Sequence, residues 1–266
     1  MGRIGVIAAL GAALLLSAQA RAQTTAALSP ADQAKTTPRV AMLGSRDCAV
    51  PLRIGRLDGP PLHALASLRR EEGFKIVALG SSSTQGIGAT NPDNSFPHQL
   101  QLMLERRFPT STVRVVNKGI GGQLARDMLA RLQEDVIDQR PDLVIWQTGT
   151  NDVTAGVAPH DFVEVLRKGV AELRDAGIDV LIVTPQYTPR NATSDADATY
   201  AQVFNGLAGD LGVTVFHRRA VMQQWVDSGR FSFATMLAAD RFHMNDNGYR
   251  CWASVLADAI EYAAWQ

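Results

Sequence analysis

The chain has 266 residues, 46% of them hydrophobic and 6% aromatic, and its 26 basic residues balance 26 acidic ones. That balance gives no electrostatic reason to expect a nucleic acid or an anionic membrane surface as partner, while the length and apolar content suffice for one sizeable core. Two cysteines and five scattered histidines, with no Cys-x-x-Cys or His-x-x-x-His spacing, argue against a metal site, and no cofactor is expected.

At the N-terminus, Arg3 precedes a charge-free run from Ile4 to Leu16, and small residues follow at Ala18, Ala20 and Ala22. Ala18-Gln19-Ala20 and Ala20-Arg21-Ala22 both fit the small-x-small rule for signal cleavage. The apolar run is shorter than the roughly 20 residues that span a bilayer. Residues 1–22 therefore read as a secretory signal cut after Ala22, with an uncleaved anchor as the alternative. No later run is long and apolar enough to span, so a soluble periplasmic or secreted protein is expected, with no membrane insertion once the signal is removed.

Residues 23–73 read as an N-terminal leader and extension. The part up to residue 47 is rich in Ala, Thr, Gln, Ser and Pro without periodicity, and a helix is predicted over Leu62–Glu72, ended by Gly73. In an exported protein the pair Cys48 and Cys251 suggests a disulfide between this extension and the last helix; two buried thiols are the alternative.

The main domain spans residues 74–266. Strand-like runs at Lys75–Leu79, Val113–Asn117, Leu143–Gln147, Val180–Thr184 and Val213–Phe216 alternate with helix-like runs at Phe96–Phe108, Leu124–Gln139, His160–Ala176, Tyr200–Leu211 and Gly248–Ala264. Alternation at this spacing predicts βαβ units and a three-layer α/β/α sandwich around a mainly parallel five-stranded sheet. Consecutive apolar residues such as Leu143-Val144-Ile145-Trp146 agree, because a parallel strand buries both faces. Functional residues then belong just past strand ends.

The first strand runs into Gly80-Ser81-Ser82-Ser83-Thr84, the second into Asn117-Lys118-Gly119-Ile120-Gly121-Gly122, the third into Gly149-Thr150-Asn151-Asp152, and Asp240-Arg241-Phe242-His243 precedes the last helix. A serine hydroxyl needs a base to take its proton and a third group to orient that base, and acyl transfer needs N–H donors aimed at the oxyanion. Taken singly, each block has an ordinary explanation: a capped turn, a tight glycine turn, an Asx turn. All four at successive strand ends point to a serine hydrolase.

In these blocks the chain resembles the SGNH hydrolases, also called the GDSL family of esterases and lipases, from about Phe74 to Ala264. The resemblance implies the SGNH, flavodoxin-like fold and an ester hydrolase with Ser82 as nucleophile, His243 as base and Asp240 orienting it. It also implies Ser82, Gly122 and Asn151 as oxyanion donors. Where relatives usually carry Asp before the nucleophile and Leu after it, this chain has Ser81 and Ser83, so register alone selects Ser82. Gln186 and Tyr187, after the fourth strand, are candidate substrate contacts, together with Phe96, His98 and Asn245. Short acyl esters, as small molecules or on a glycan, are the expected substrates. An O-acyltransferase would use the same residues. A glycan- or phosphate-binding module would have no need of the Asp240/His243 pair, and an α/β-hydrolase elbow would require glycine where Thr84 stands.

Overall fold

Both-face burial of short apolar runs builds the centre of the molecule. The computed structural model describes Gly2 and residues 41–266 apart from Glu71, Ala192 and Thr193, so the expected signal segment and most of the leader lie outside the described residues. A small antiparallel ribbon, β1 (Met42–Leu43) with β2 (Val50–Pro51), comes first. The sheet follows as β3 (Phe74–Gly80), β4 (Val113–Gly119), β5 (Leu143–Gln147), β6 (Asp179–Val183) and β7 (Thr214–Phe216), close to the five predicted runs. All four pairings are parallel, in the order β4-β3-β5-β6-β7. This is the flavodoxin-like order, with its switch point at β3, where connections on the two sides diverge and a crevice opens at the carboxyl ends.

The helices that matter for the site are α1 (Ser82–Gln85), α2 (Phe96–Arg107), α3 (Ala125–Ala130), α4 (Thr150–Thr154), α5 (Pro159–Asp175), α6 (Asp195–Asp210), α7 (Arg218–Asp227) and α8 (Asp246–Ala264). Side chains of successive strand residues point to opposite faces. Accordingly Phe74, Ile76 and Ala78 of β3 pack with Leu100, Leu104, Trp225, Trp252 and Leu256 of α2, α7 and α8. Val77 and Leu79 pack instead with Met128, Phe162, Leu166 and Phe204 of α3, α5 and α6. The three layers are therefore present, with a core on each side of the sheet.

Two predicted helices differ, and one helix was not foreseen. The helix expected over Leu124–Gln139 breaks at Arg131 (φ −110°, ψ 12°) and again at Val136 (φ −122°, ψ −63°). Arg131 interrupts it by turning its guanidinium inward, onto Gly80 O at 3.2 Å and Lys118 O at 2.9 Å. The helix expected over Leu62–Glu72 is reduced to a 3-10 turn at His63–Leu65 and a helical turn at Ala66–Arg69. Helix α7 was not predicted: it starts from His217 with no side-chain cap, so the usual start signal is missing.

The segment from Met42 to Asp58 is bound to the sheet domain. Cys48 and Cys251 form a disulfide into α8, Trp225 Nε1 donates to Cys48 O at 2.8 Å, and Asp58 exchanges two backbone hydrogen bonds with Val215 of β7. Among the described residues no helix is long and apolar enough to cross a membrane.

Candidate active site

The four blocks converge at the carboxyl edge of β3, β4 and β5. Gly80 and Gly119 are register partners at the ends of β3 and β4, and α1 begins directly after Ser81. A Cβ on Gly119 would lie 2.0 Å from Gln85 N and 2.5 Å from Thr84 C, so only glycine lets β4 pass this close to the α1 backbone. Two further bonds lock the turn to the next loop: Ile120 N donates to Gly80 O at 3.0 Å and Gly121 N to Gln85 Oε1 at 2.9 Å.

Asp240 organises its own loop. One carboxylate oxygen accepts from the backbone N–H groups of Phe242 at 2.9 Å and His243 at 3.0 Å, and Arg241 takes a left-handed conformation (φ 57°) to close the turn. The other oxygen stands 2.5 Å from His243 Nδ1, and His243 Nε2 stands 2.8 Å from Ser82 Oγ. With the ring proton on Nδ1 the imidazole donates to the carboxylate, and Nε2 is free to accept the serine proton. Burial alone would raise the Asp240 carboxyl, but the bonds from the His243 ring and the Phe242 and His243 N–H groups outweigh it and hold it below the usual carboxylate range. Ser82 is 9% exposed, enough to meet a ligand.

The three adjacent serines have three different partners. Ser82 faces His243; Ser81 donates to Gln147 Oε1 through both its N–H (3.1 Å) and its hydroxyl (3.2 Å); Ser83 Oγ donates to Gln186 Oε1 at 2.8 Å. Thr84 Oγ1 adds a third bond to Gln147 Oε1 at 3.0 Å. Of the three serines, Ser82 is the one at hydrogen-bond distance from His243.

Gly122 adopts φ 80° with nothing within 4 Å of where a Cβ would sit, so its backbone borders open space. One amide hydrogen of Asn151 is used on Gln123 O at 2.9 Å, which ties α4 to the same loop. The neighbouring Asp152 accepts from Ala125 N at 3.0 Å and fixes the start of α3; burial raises its carboxyl, against the pull of that backbone N–H.

Gln186 corrects an expectation. It is 1% exposed, and besides accepting from Ser83 it donates one Nε2 hydrogen to Phe242 O at 3.0 Å; a side chain this deeply buried does not form a pocket wall. Tyr187 is half-buried, tilted against Phe233 at 5.5 Å with the Arg219 guanidinium 5.1 Å over its ring. Phe96 is fully buried and stacked on Trp252 at 3.8 Å. His98 faces Asp93 at 3.8 Å. Asn245 caps α8 by accepting from Gly248 N at 3.0 Å.

Sequence reasoning missed two residues. Gln147 ends a strand that is otherwise wholly apolar, a placement that demands internal partners. Arg131 lay inside the helix-like run Leu124–Gln139 and was given no role. It instead links the ends of β3 and β4 and bonds Gln123 Oε1 at 2.7 Å. Among the described residues no cluster of His, Cys, Asp or Glu could hold a metal ion.

Comparison with known proteins agrees with this architecture. The model of the non-GDSL lipase-like family matches residues 47–266. An acetylxylan esterase of Geobacillus stearothermophilus is 29% identical over 212 residues, covering 71% of this chain and 95% of its own. The crystal structure of LAE5, an alpha/beta hydrolase enzyme from the metagenome of Lake Arreo, Spain, superposes with a TM-score of 0.62 at 26% identity, over 71% of this chain and 95% of that one. A two-domain esterase active on acetylated mannans shares the fold, with a TM-score of 0.66 at 21% identity; the match covers 80% of this chain and 56% of that longer one. With three blocks at strand ends, the Asp240–His243 loop brought up to them, and a family match over most of its length, the chain belongs to the non-GDSL lipase-like family of SGNH/GDSL-type hydrolases, and with it to the carboxylic ester hydrolases.

Proposed function

We propose that the chain is an exported serine esterase that removes short acyl groups, with O-acetyl groups on carbohydrate as the favoured substrate class. The observation that carries this reading is the continuous relay Asp240–His243–Ser82, with contacts of 2.5 Å and 2.8 Å. Ser82 Oγ attacks the ester carbonyl carbon while its proton passes to His243 Nε2. The carbonyl electrons move onto oxygen, where the N–H groups of Ser82 and Gly122 and the remaining amide hydrogen of Asn151 stabilise the charge. Collapse of this intermediate expels the alcohol, which takes the proton from Nε2. Water then adds to the acyl-enzyme, gives its proton to the same nitrogen, and the acid leaves as Ser82 recovers its hydrogen. Asp240 keeps the other ring proton on Nδ1 throughout.

The carbohydrate assignment is supported by the relatives whose names specify acetylxylan and acetylated mannans. Export is supported by the N-terminal pattern and by a disulfide, a bond that persists in oxidising compartments. The test is a panel of nitrophenyl esters from acetate to palmitate, followed by acetylated xylo- and manno-oligosaccharides. Fastest turnover on acetate and release of acetate from the oligosaccharides are expected. A preference for palmitate refutes the short-chain assignment, and an unaffected Ser82→Ala protein refutes the mechanism.

A further inference from the structure

We propose that Gln186, backed by Gln147, is a positioning residue of this site: it holds the nucleophile turn and the Asp240–His243 loop at the spacing that lets Ser82 and His243 share a hydrogen bond. The inference rests on the serine-esterase reading above and adds to it the device that sets its geometry.

Gln186 joins two elements far apart in the chain. Its Oε1 accepts from Ser83, the residue after the nucleophile, and its Nε2 donates to the carbonyl of Phe242, the residue before the base. Its main-chain carbonyl in turn accepts from Asn191 Nδ2 at 2.8 Å, which anchors the strut at its root. At 1% exposure the side chain is closed off from solvent, and one N–H and one carbonyl lone pair of its amide are spent on the two loops. Each end stops one residue short of the reacting pair, so a change in the strut alters the Ser82–His243 separation before it alters anything else.

Gln147 does the equivalent work on the other flank. Its Oε1 collects three donors, from Ser81 N, Ser81 Oγ and Thr84 Oγ1, and thereby pins the start of α1 to the end of β5. The two serines that stand where relatives carry Asp and Leu thus each engage one of the glutamines, with Thr84 as a second hydroxyl on Gln147. Ser81 with Gln147, and Ser83 with Gln186, form a matched set that fixes the turn by neutral hydrogen bonds on both sides. Buried amide-to-hydroxyl bonds of this kind favour one geometry because breaking them strands further polar groups, although Gln147 Nε2 is already buried without a partner.

The test is Gln186→Met, which keeps the volume and removes both bonds. With 4-nitrophenyl acetate, kcat is expected to fall about tenfold, about 1.4 kcal/mol in the barrier, while KM stays within about twofold. Labelling of Ser82 by a fluorophosphonate should slow in the same proportion. Ser83→Ala removes only one arm and should cost roughly threefold in kcat; the double variant should lose no more than Gln186→Met alone, the non-additivity of groups acting through one strut. An unchanged kcat, or a raised KM with kcat retained, overturns the proposal, the second because it marks a substrate contact. If Gln186→Met does not fold, Ser83→Ala decides, and a wild-type kcat there overturns it equally. Ser82→Ala run in parallel tests the underlying reading: if it still hydrolyses ester, the nucleophile assignment fails whatever Gln186→Met does.

Discussion

Replacing Asp240 by asparagine separates the two jobs of that side chain. In the wild type, Oδ1 holds the loop through the N–H groups of Phe242 and His243, and Oδ2 holds the imidazole proton on Nδ1. In Asp240→Asn the amide oxygen can still accept both backbone bonds, so the turn persists. The amide nitrogen then faces Nδ1, and two donors cannot share that contact. The ring must take the other tautomer, which puts its proton on Nε2 toward Ser82 and leaves the hydroxyl without a base. A triad histidine held in the wrong tautomer loses roughly 10,000-fold in kcat. The stability change should be small, because the Asp240 side chain is 42% exposed and solvent screening reduces such pairs to below about 1 kcal/mol. Initial rates on 4-nitrophenyl acetate, fluorophosphonate labelling and a thermal melt measure both effects. A variant within tenfold of wild-type kcat, with an unchanged melt, would show that the Asp240–His243 contact is structural only and would refute the relay.

Four other outcomes are expected. Reduction of Cys48–Cys251, which closes a loop of sequence separation 203, removes a constraint that chain entropy sets at about 5 kcal/mol; a urea titration with and without reductant should show a loss of about 2–5 kcal/mol, and coincident curves would contradict this. Asp135 is a paired carboxyl that burial alone would raise but Lys118 and Arg131 hold below its ordinary value. The unfolded chain therefore takes up protons first on acidification. The stability that Asp135 and Asp240 supply is complete above the ordinary carboxylate range and lost as pH falls below about 4, so melting temperatures flat from pH 6 to 3 would disprove it. Gly119→Ala, whose Cβ would strike the α1 backbone, should cost about 3 kcal/mol or more through overpacking, whereas Gly122→Ala meets open space and should cost only about 1–2 kcal/mol of left-handed strain; equal losses in a urea titration would undo the contrast. N-terminal sequencing of protein exported from a bacterial host should begin at Gln23, and a start at Met1 would refute the signal assignment.

The sheet was legible because parallel strands announce themselves: Leu143-Val144-Ile145-Trp146 has nowhere to go but a position buried on both faces. The carboxyl-edge blocks were legible because glycine and hydroxyl clusters end those runs. What escaped was what side chains do at long range. Gln186 looked like a pocket residue because a polar group after a strand end reads the same whether it meets a ligand or a distant carbonyl. Arg131 was one unremarked residue of a continuous helical pattern, yet the helix breaks there and its guanidinium bonds Gly80 O and Lys118 O. Three serines in a row were told apart by motif register alone, with no chemical ground, whereas in the structure Gln147, His243 and Gln186 each partner a different one.

The pairing of Asp58 with Val215 bears on how little of this protein can be trimmed. β7 is the outermost strand on its side of the sheet, and its Val215 N–H and C=O are both taken by Asp58. On the opposite margin, Gln101 of α2 occupies the Val115 N–H of β4, and Arg114 stands exposed beside it. Unpaired margins recruit strands from other molecules. A version shortened to start at Phe74 would keep every reacting group yet uncover β7 as a template, and would be prone to stick to itself.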